Sequence, residues 1–224
     1  MGVNELLREM ELNPPTDLSP VRSRQRDKAL ALIREEGLLD AAHSFDTVQL
    51  QGIEDDGGLR VGGEILPPPA QLPDAGEIVA LGCGACTLGP RLEARVRQLF
   101  SEKRAALATA LDYLGNELLF TLARELQEDI MASVRRQRLS LGKEFQIEDS
   151  THDPSARAAV LRLAGAAEIG ISLHRCNLLL PVKSTSMVFA IGRKQPKIAR
   201  LQNLSRLCQV HMRQLGEPLW HSIR

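Results

Sequence analysis

The chain has 224 residues, enough for one well-buried domain or a domain with a small appendage, and its 28 lysines and arginines balance 28 aspartates and glutamates. That neutrality calls for neither nucleic acid nor an anionic membrane as partner, and at 3% aromatic residues the chain lacks the base-stacking platforms of single-strand binders. No apolar run approaches the ~20 residues that cross a bilayer.

In chain order, Met1–Leu12 reads as a short amphipathic helix stopped by Pro14 and Pro15. It is taken as part of an N-terminal helical arm over 1–44. Its first residues carry Glu5 and Glu9 and no apolar core of signal-peptide type, so a cytoplasmic protein is expected. Asp17 or Ser19 before Pro20 starts a second helix, with Ala29, Leu30 and Ile33 in its body and Gly37 at its stop. Arg22, Arg24 and Arg26 read as a solvated face of that helix.

Phe45, Val48 and Leu50, the turn Asp55-Asp56-Gly57-Gly58, then Leu59, Val61 and Ile65 spell a β-hairpin. Pro67, Pro68, Pro69 and Pro73 make an extended connector. Ile78–Leu81 is a short strand that runs into a glycine-rich turn over Gly82–Gly89, and Pro90 opens a helix with Glu93 in its first turn. These glycines have neither dinucleotide nor phosphate-loop spacing.

Cys83 and Cys86, placed beside that helix start, form a Cys-x-x-Cys pair whose thiolates the helix dipole would favour. The principal reading is structural thiols, reduced as expected for four scattered cysteines. The alternatives are redox chemistry, or a metal completed from His174, Cys176, Cys208 or His211.

Leu107, Leu111, Leu114, Leu118, Leu122, Leu126 and Ile130 recur every three or four residues, which predicts one long core helix over about 104–131. Asp112, Asn116 and Glu125 lie off the stripe and are expected to be exposed. Arg138 leads into Leu139–Lys143, read as irregular around Gly142. Pro154–Leu163 reads as a short helix capped by Asp153. Ile169–Arg193 contains two β-rich runs joined through Pro181 and Lys183-Ser184-Thr185-Ser186. Leu201, Leu204, Leu207 and Leu215 suggest a C-terminal helical extension over 194–224, with Trp220 packed on the body. The whole predicts an α/β protein of α+β type: a mainly antiparallel twisted sheet, a long central helix and flanking helices, with its core at 45–193.

Several short runs carry a family resemblance in their order: Thr87-Leu88-Gly89-Pro90 with Leu92-Glu93, Leu111-Asp112 with Leu114-Gly115, Arg138 with Gly142, Ile169-Gly170 with Leu173, and Pro181 with Lys183-Ser184 and Ser186. Over roughly 45–193 the chain resembles the activation domain of cobalamin-dependent methionine synthase. The resemblance implies a cleft for S-adenosylmethionine in which Arg138 grips the ligand carboxylate, Ser140 supplies a backbone contact and Gly142 matches the family glycine. A planar guanidinium suits a carboxylate because two parallel charge-assisted bonds form at once. The family proline is Leu141 here, its tyrosine is Lys143, and its helix glutamate falls on Phe120, leaving Glu117, about a turn earlier, as the substitute.

The implied function is that of a stand-alone activator in methionine biosynthesis. It supports reductive remethylation, with S-adenosylmethionine as methyl donor, of a corrinoid carried by a methionine synthase or related methyltransferase. No Asp-x-His-x-x-Gly cobalamin signature occurs in these residues, so the corrinoid is expected on a partner protein. Arg138, Lys143 and Lys183-Ser184 are expected to form the docking face. The alternative is an accessory subunit that binds the corrinoid protein through the same fold with a degenerate S-adenosylmethionine cleft, or, further off, a thiol or metal protein built on Cys83 and Cys86.

Overall fold

The computed structural model describes residues 2–13, 15, 18–69, 75–145, 155–174 and 177–193. The expected C-terminal helix, Trp220, Cys176, Cys208, His211, Pro14, Pro73 and the Asp17 and Asp153 caps lie outside the described residues.

The elements in chain order are α1 (Val3–Leu12), α2 (Pro20–Glu36), β1 (Ala42–Ile53), β2 (Leu59–Val61), β3 (Glu64–Leu66), β4 (Ile78–Thr87), α3 (Arg91–Ser101) and α4 (Ala105–Arg136). After these come β5 (Ser140–Phe145), α5 (Ser155–Leu163), a 3-10 turn (Ala166–Ile169), β6 (Ser172–Leu173), β7 (Leu179–Leu180) and β8 (Ser184–Gly192). The capping chemistry of α2 is the one its sequence spells: Ser19 Oγ accepts from the Arg22 amide, Pro20 opens the first turn, and Gly37, at φ +60°, closes the last. At the expected hairpin turn, the Glu54 amide bonds the Gly58 carbonyl at 2.8 Å, and Asp56 Oδ1 accepts from the Gly58 amide at 2.9 Å.

Six strands form one sheet in the order β3-β2-β1-β4-β8-β5, with every neighbouring pair antiparallel, while β6 and β7 make a separate two-stranded ribbon. The α+β expectation therefore holds. Helices α1 to α4 share one core with one face of the sheet, where Leu111, Leu114, Leu118, Leu126 and Ile130 meet Phe189 and Ile191. On the other face α5 and the 3-10 turn enclose Leu81, Cys83, Ala85, Val188 and Ala190 with Val160 and Leu161.

Four expectations change. The stretch from Gly82 to Thr87 is a continuation of β4 and not a turn. Its glycines serve packing: a Cβ on Gly82 would lie 3.2 Å from Ile130 Cγ2, and one on Gly84 would lie 3.1 Å from Leu126 Cδ2. The bare backbone lets the leucine stripe of α4 settle close to the sheet. Residues 139–143 are expected to be irregular, but Ser140–Phe145 is the edge strand β5, because Ser140 and Leu141 find partners in Gly192 and Ile191. Ile169 closes the 3-10 turn instead of starting a strand. Finally, α1 gives Leu6, Leu7 and Met10 to the main core and so packs on the body.

Leu114 is 1% exposed at the centre of that core. Leu114→Asp is expected to lose more than ~4 kcal/mol of stability, because an unpaired charge would enter an apolar layer. A variant whose urea denaturation, followed by circular dichroism, matches wild type would contradict the placement of α4.

Candidate functional site

The motif runs that looked separate in the sequence meet at one end of the sheet. Thr87 ends β4, Ser184 begins β8, and the two are cross-strand partners whose hydroxyls are 2.8 Å apart. Lys183, 7% exposed, donates from Nζ to Asn116 Oδ1 at 2.6 Å and pairs with Asp112 Oδ1 at 2.7 Å. Its backbone carbonyl accepts from the Leu88 amide at 2.9 Å. Glu93 accepts from the Val182 amide at 2.7 Å, so the start of α3 is tied to the same loop.

Two glycines make room there. A Cβ on Gly115 would meet Leu92 Cδ2 at 3.0 Å and Lys183 Cε at 3.3 Å, and one on Gly89, at φ +78°, would meet Asp40 Cβ at 2.6 Å. Asp112, whose side chain is 47% exposed as expected, and Asn116 hold this ammonium, and such pairing is what permits a lysine to be buried. The donors and acceptors here satisfy one another, which is the arrangement of a structural node.

The thiols separate. Three residues along a strand change face, so Cys83 points toward α5 and Cys86 toward α4. Burial pushes each thiol up to about 12, with Asp46 adding to the effect at Cys83 and Glu125 at Cys86. The expected helix-dipole activation is absent because both cysteines lie inside β4, and no group of three or more metal-ligating side chains occurs among the described residues. The structural-thiol reading fits this geometry.

The Arg138–Lys143 run lies where α4 hands over to the edge strand. Arg138, exposed and at φ +60°, donates its amide to the Arg135 carbonyl, and the Leu139 amide bonds the Val134 carbonyl. This left-handed residue turns the chain sharply off the helix end into β5. Ser140 is buried beside Gly192. A Cβ on Gly142 would stand 3.1 Å from both the Ala190 carbonyl oxygen and Ala75 Cβ. A bulge between Leu141 and Glu144 breaks the register, and Lys143 within it is exposed. The outer edge of β5 pairs with no strand among the described residues.

Glu117 is not brought to this run. It sits ~28 Å up α4 from the helix end at 1.5 Å per residue, where it pairs with Arg26 at 3.0 Å. Arg26 also bonds the Met10 carbonyl at 3.2 Å, so one of the three arginines expected to be solvated is a buried staple between α1, α2 and α4. Lys183-Ser184 is likewise distant: β8 carries the chain ~26 Å, at ~3.3 Å per residue, from Ser184 to the partner of Ser140. The expected docking face thus resolves into two ends of the sheet.

No motif or periodicity singles out Glu144. It lies opposite buried Phe189 on the α4 face of β5, and among the described residues it has no hydrogen-bond or ion-pair partner. Desolvation alone raises its carboxyl to about 7. A raised folded value means the native state holds its proton more tightly than the unfolded chain. Stability is then lost as pH climbs from the ordinary carboxylate range to about 7, by up to ~3 kcal/mol at ~1.4 kcal/mol per pH unit. Relative to wild type, Glu144→Gln should gain stability progressively between pH 4.5 and 7 and keep that gain above 7. Urea melts of the two proteins that shift in parallel with pH would contradict a half-buried, uncompensated carboxylate.

No family model matches the chain, and no curated protein matches it in sequence. Among solved structures it is similar to a crystal structure of the MetH reactivation domain bound to AdoHcy, with a TM-score of 0.55 over 93% of this chain and 76% of that one. At 12% identity this is a likeness of fold. No helix among the described residues is long and apolar enough to cross a membrane.

Proposed function

We propose that this chain is an activation-domain-like protein that binds S-adenosylmethionine along β5 and presents it to a corrinoid held by a partner protein. The partner would be a cobalamin-dependent methionine synthase or a related methyltransferase. The observation that carries the reading is the Arg138–Gly142 run on an edge strand, within a fold similar to that of a domain crystallised with AdoHcy. Arg138 would take the ligand carboxylate through two parallel bonds, which an exposed guanidinium at the strand entrance is free to do. The outer edge of β5 around Ser140, which has no partner strand among the described residues, would supply donors and acceptors of the kind an adenine edge needs. Lys143 would stand beside the ligand in place of an aromatic ring. S-adenosylmethionine supplies the methyl group, and this chain's part is to orient it.

A second reading is favoured by one observation. Glu117, the candidate partner for the ligand ammonium, is engaged by Arg26, and Lys143 offers no ring to stack. On that reading the chain docks the corrinoid protein without a functioning ligand cleft.

Isothermal titration separates the two. Wild type is expected to bind S-adenosylmethionine, and Arg138→Ala to lose ~1.5–3 kcal/mol, roughly tenfold to a hundredfold in affinity, with little recovered by Arg138→Lys. Alanine bears the same left-handed strain as arginine at φ +60°, so the comparison reads the guanidinium and not the turn. Unchanged affinity in Arg138→Ala would remove this residue from the site. No binding by wild type, with a complex to a corrinoid protein on gel filtration, would establish the second reading.

A further inference from the structure

Large apolar side chains left in water are ordinary when they stand singly and informative when they gather. Leu178, Leu180 and Val182 are 60%, 39% and 58% exposed, within five residues that span at most ~14 Å. No other five-residue stretch of the described chain carries even two such side chains. The patch leads through Lys183 into Ser184, so it lies at the end of the sheet where β8 begins.

Residues 194–224 lie outside the described residues, but their sequence has the pattern of a cover. Pro196 and Gly216 bracket Ile198, Leu201, Leu204, Cys208, Met212 and Leu215, which are spaced three or four apart as one helical face is, while Gln202, Arg206, Gln209 and Arg213 fall off that face. Leu219 and Trp220, the chain's single tryptophan, follow. The segment holds six of the chain's 28 basic residues and one of its 28 acidic ones, so residues 1–193 carry five more acidic than basic side chains. A basic segment tethered to an acidic body is drawn back onto it.

The lengths agree as well. The chain leaves β8 at Arg193, whose amide bonds the Glu77 carbonyl at 3.2 Å. From there back to Ser184 is ~26 Å along β8, and a helix over 197–215 would be ~28 Å long at 1.5 Å per residue. Turned back along β8, such a helix would bring Leu219 and Trp220 to the end where Leu178–Val182 stands exposed. We propose that residues 194–224 are the occupant of this patch: an amphipathic helix folds back over the body and seats Leu219 and Trp220 on Leu178, Leu180 and Val182. On this arrangement the Lys183 end of the sheet is a covered surface, and a partner protein approaches elsewhere. The inference does not rest on the S-adenosylmethionine reading.

Intrinsic fluorescence tests this directly, because the emission of a single tryptophan reports one position. In the full chain, acrylamide quenching of Trp220 is expected to be several-fold weaker than that of free tryptophan and unchanged on tenfold dilution. Leu178→Ser with Val182→Ser should raise quenching toward the free value. So should Leu215→Asp with Leu219→Asp, a pair outside the described fold, whereas Ile53→Ser with Ile65→Ser, exposed apolar side chains elsewhere, should leave it unchanged. Wild-type quenching equal to that of free tryptophan overturns the inference, as does shielding that survives Leu178→Ser with Val182→Ser or is lost in Ile53→Ser with Ile65→Ser. Shielding lost on dilution also overturns it and assigns the patch to a second copy of the chain. Shielding that appears only with anionic lipid vesicles overturns it in favour of a membrane surface.

Discussion

Helix α4 can lie on the sheet as closely as it does only because β4 presents no side chain at Gly82 and Gly84. Gly82 and Gly84 stand under Ile130 and Leu126, and a Cβ on either would crowd those side chains at 3.1–3.2 Å. Much follows from that contact. It fixes which face of β4 is the helical face, so Cys83 and Cys86 part to opposite sides of the sheet. It also sets the axis of α4: the helix runs from the Thr87 and Lys183 end of the sheet to the start of β5. One end of the helix therefore closes the node and the other delivers Arg138.

The two ends differ in polar balance. Around Lys183, an ammonium, a carboxylate, an amide side chain, two hydroxyls and several backbone groups answer one another across β4, β8, α3 and α4. A satisfied network of this kind rigidifies and leaves little for a ligand to gain. At β5 the balance is open: an exposed guanidinium, a strand edge without a partner strand and a carboxylate without a counter-charge among the described residues. Buried polar groups left open cost free energy in the native state, and a ligand that completes them recovers it. The contrast is why we propose the candidate site at this end of the sheet.

Local chemistry was readable in the sequence wherever the signal was itself local. The leucine period gave α4, the Ser-Pro start and glycine stop gave α2, and the acidic glycine turn gave the β1–β2 hairpin. What misled was glycine in β4, whose backbone freedom suggests a turn but whose small size here answers a helix more than forty residues later in the chain. Residues 139–143 read as irregular because their pairing lies with β8, far downstream. The roles of Asp112 and Asn116 depend on Lys183 in the same way, and no periodicity predicts a partner at that separation. Arg138 and Gly142 were legible through resemblance alone. Glu144 was not legible, since its isolation is a property of packing and one glutamate beside a lysine in sequence looks solvated.

The central claim is that the ligand lies along the edge strand at the α4 C-terminal end of the sheet and not at the lysine node. Amide hydrogen–deuterium exchange of the full chain, with and without saturating S-adenosylmethionine, measures this directly. The account predicts added protection over Arg138–Phe145 and unchanged exchange at Thr87–Gly89 and Val182–Ser184. Protection that appears around Lys183 while β5 is unaffected would contradict it.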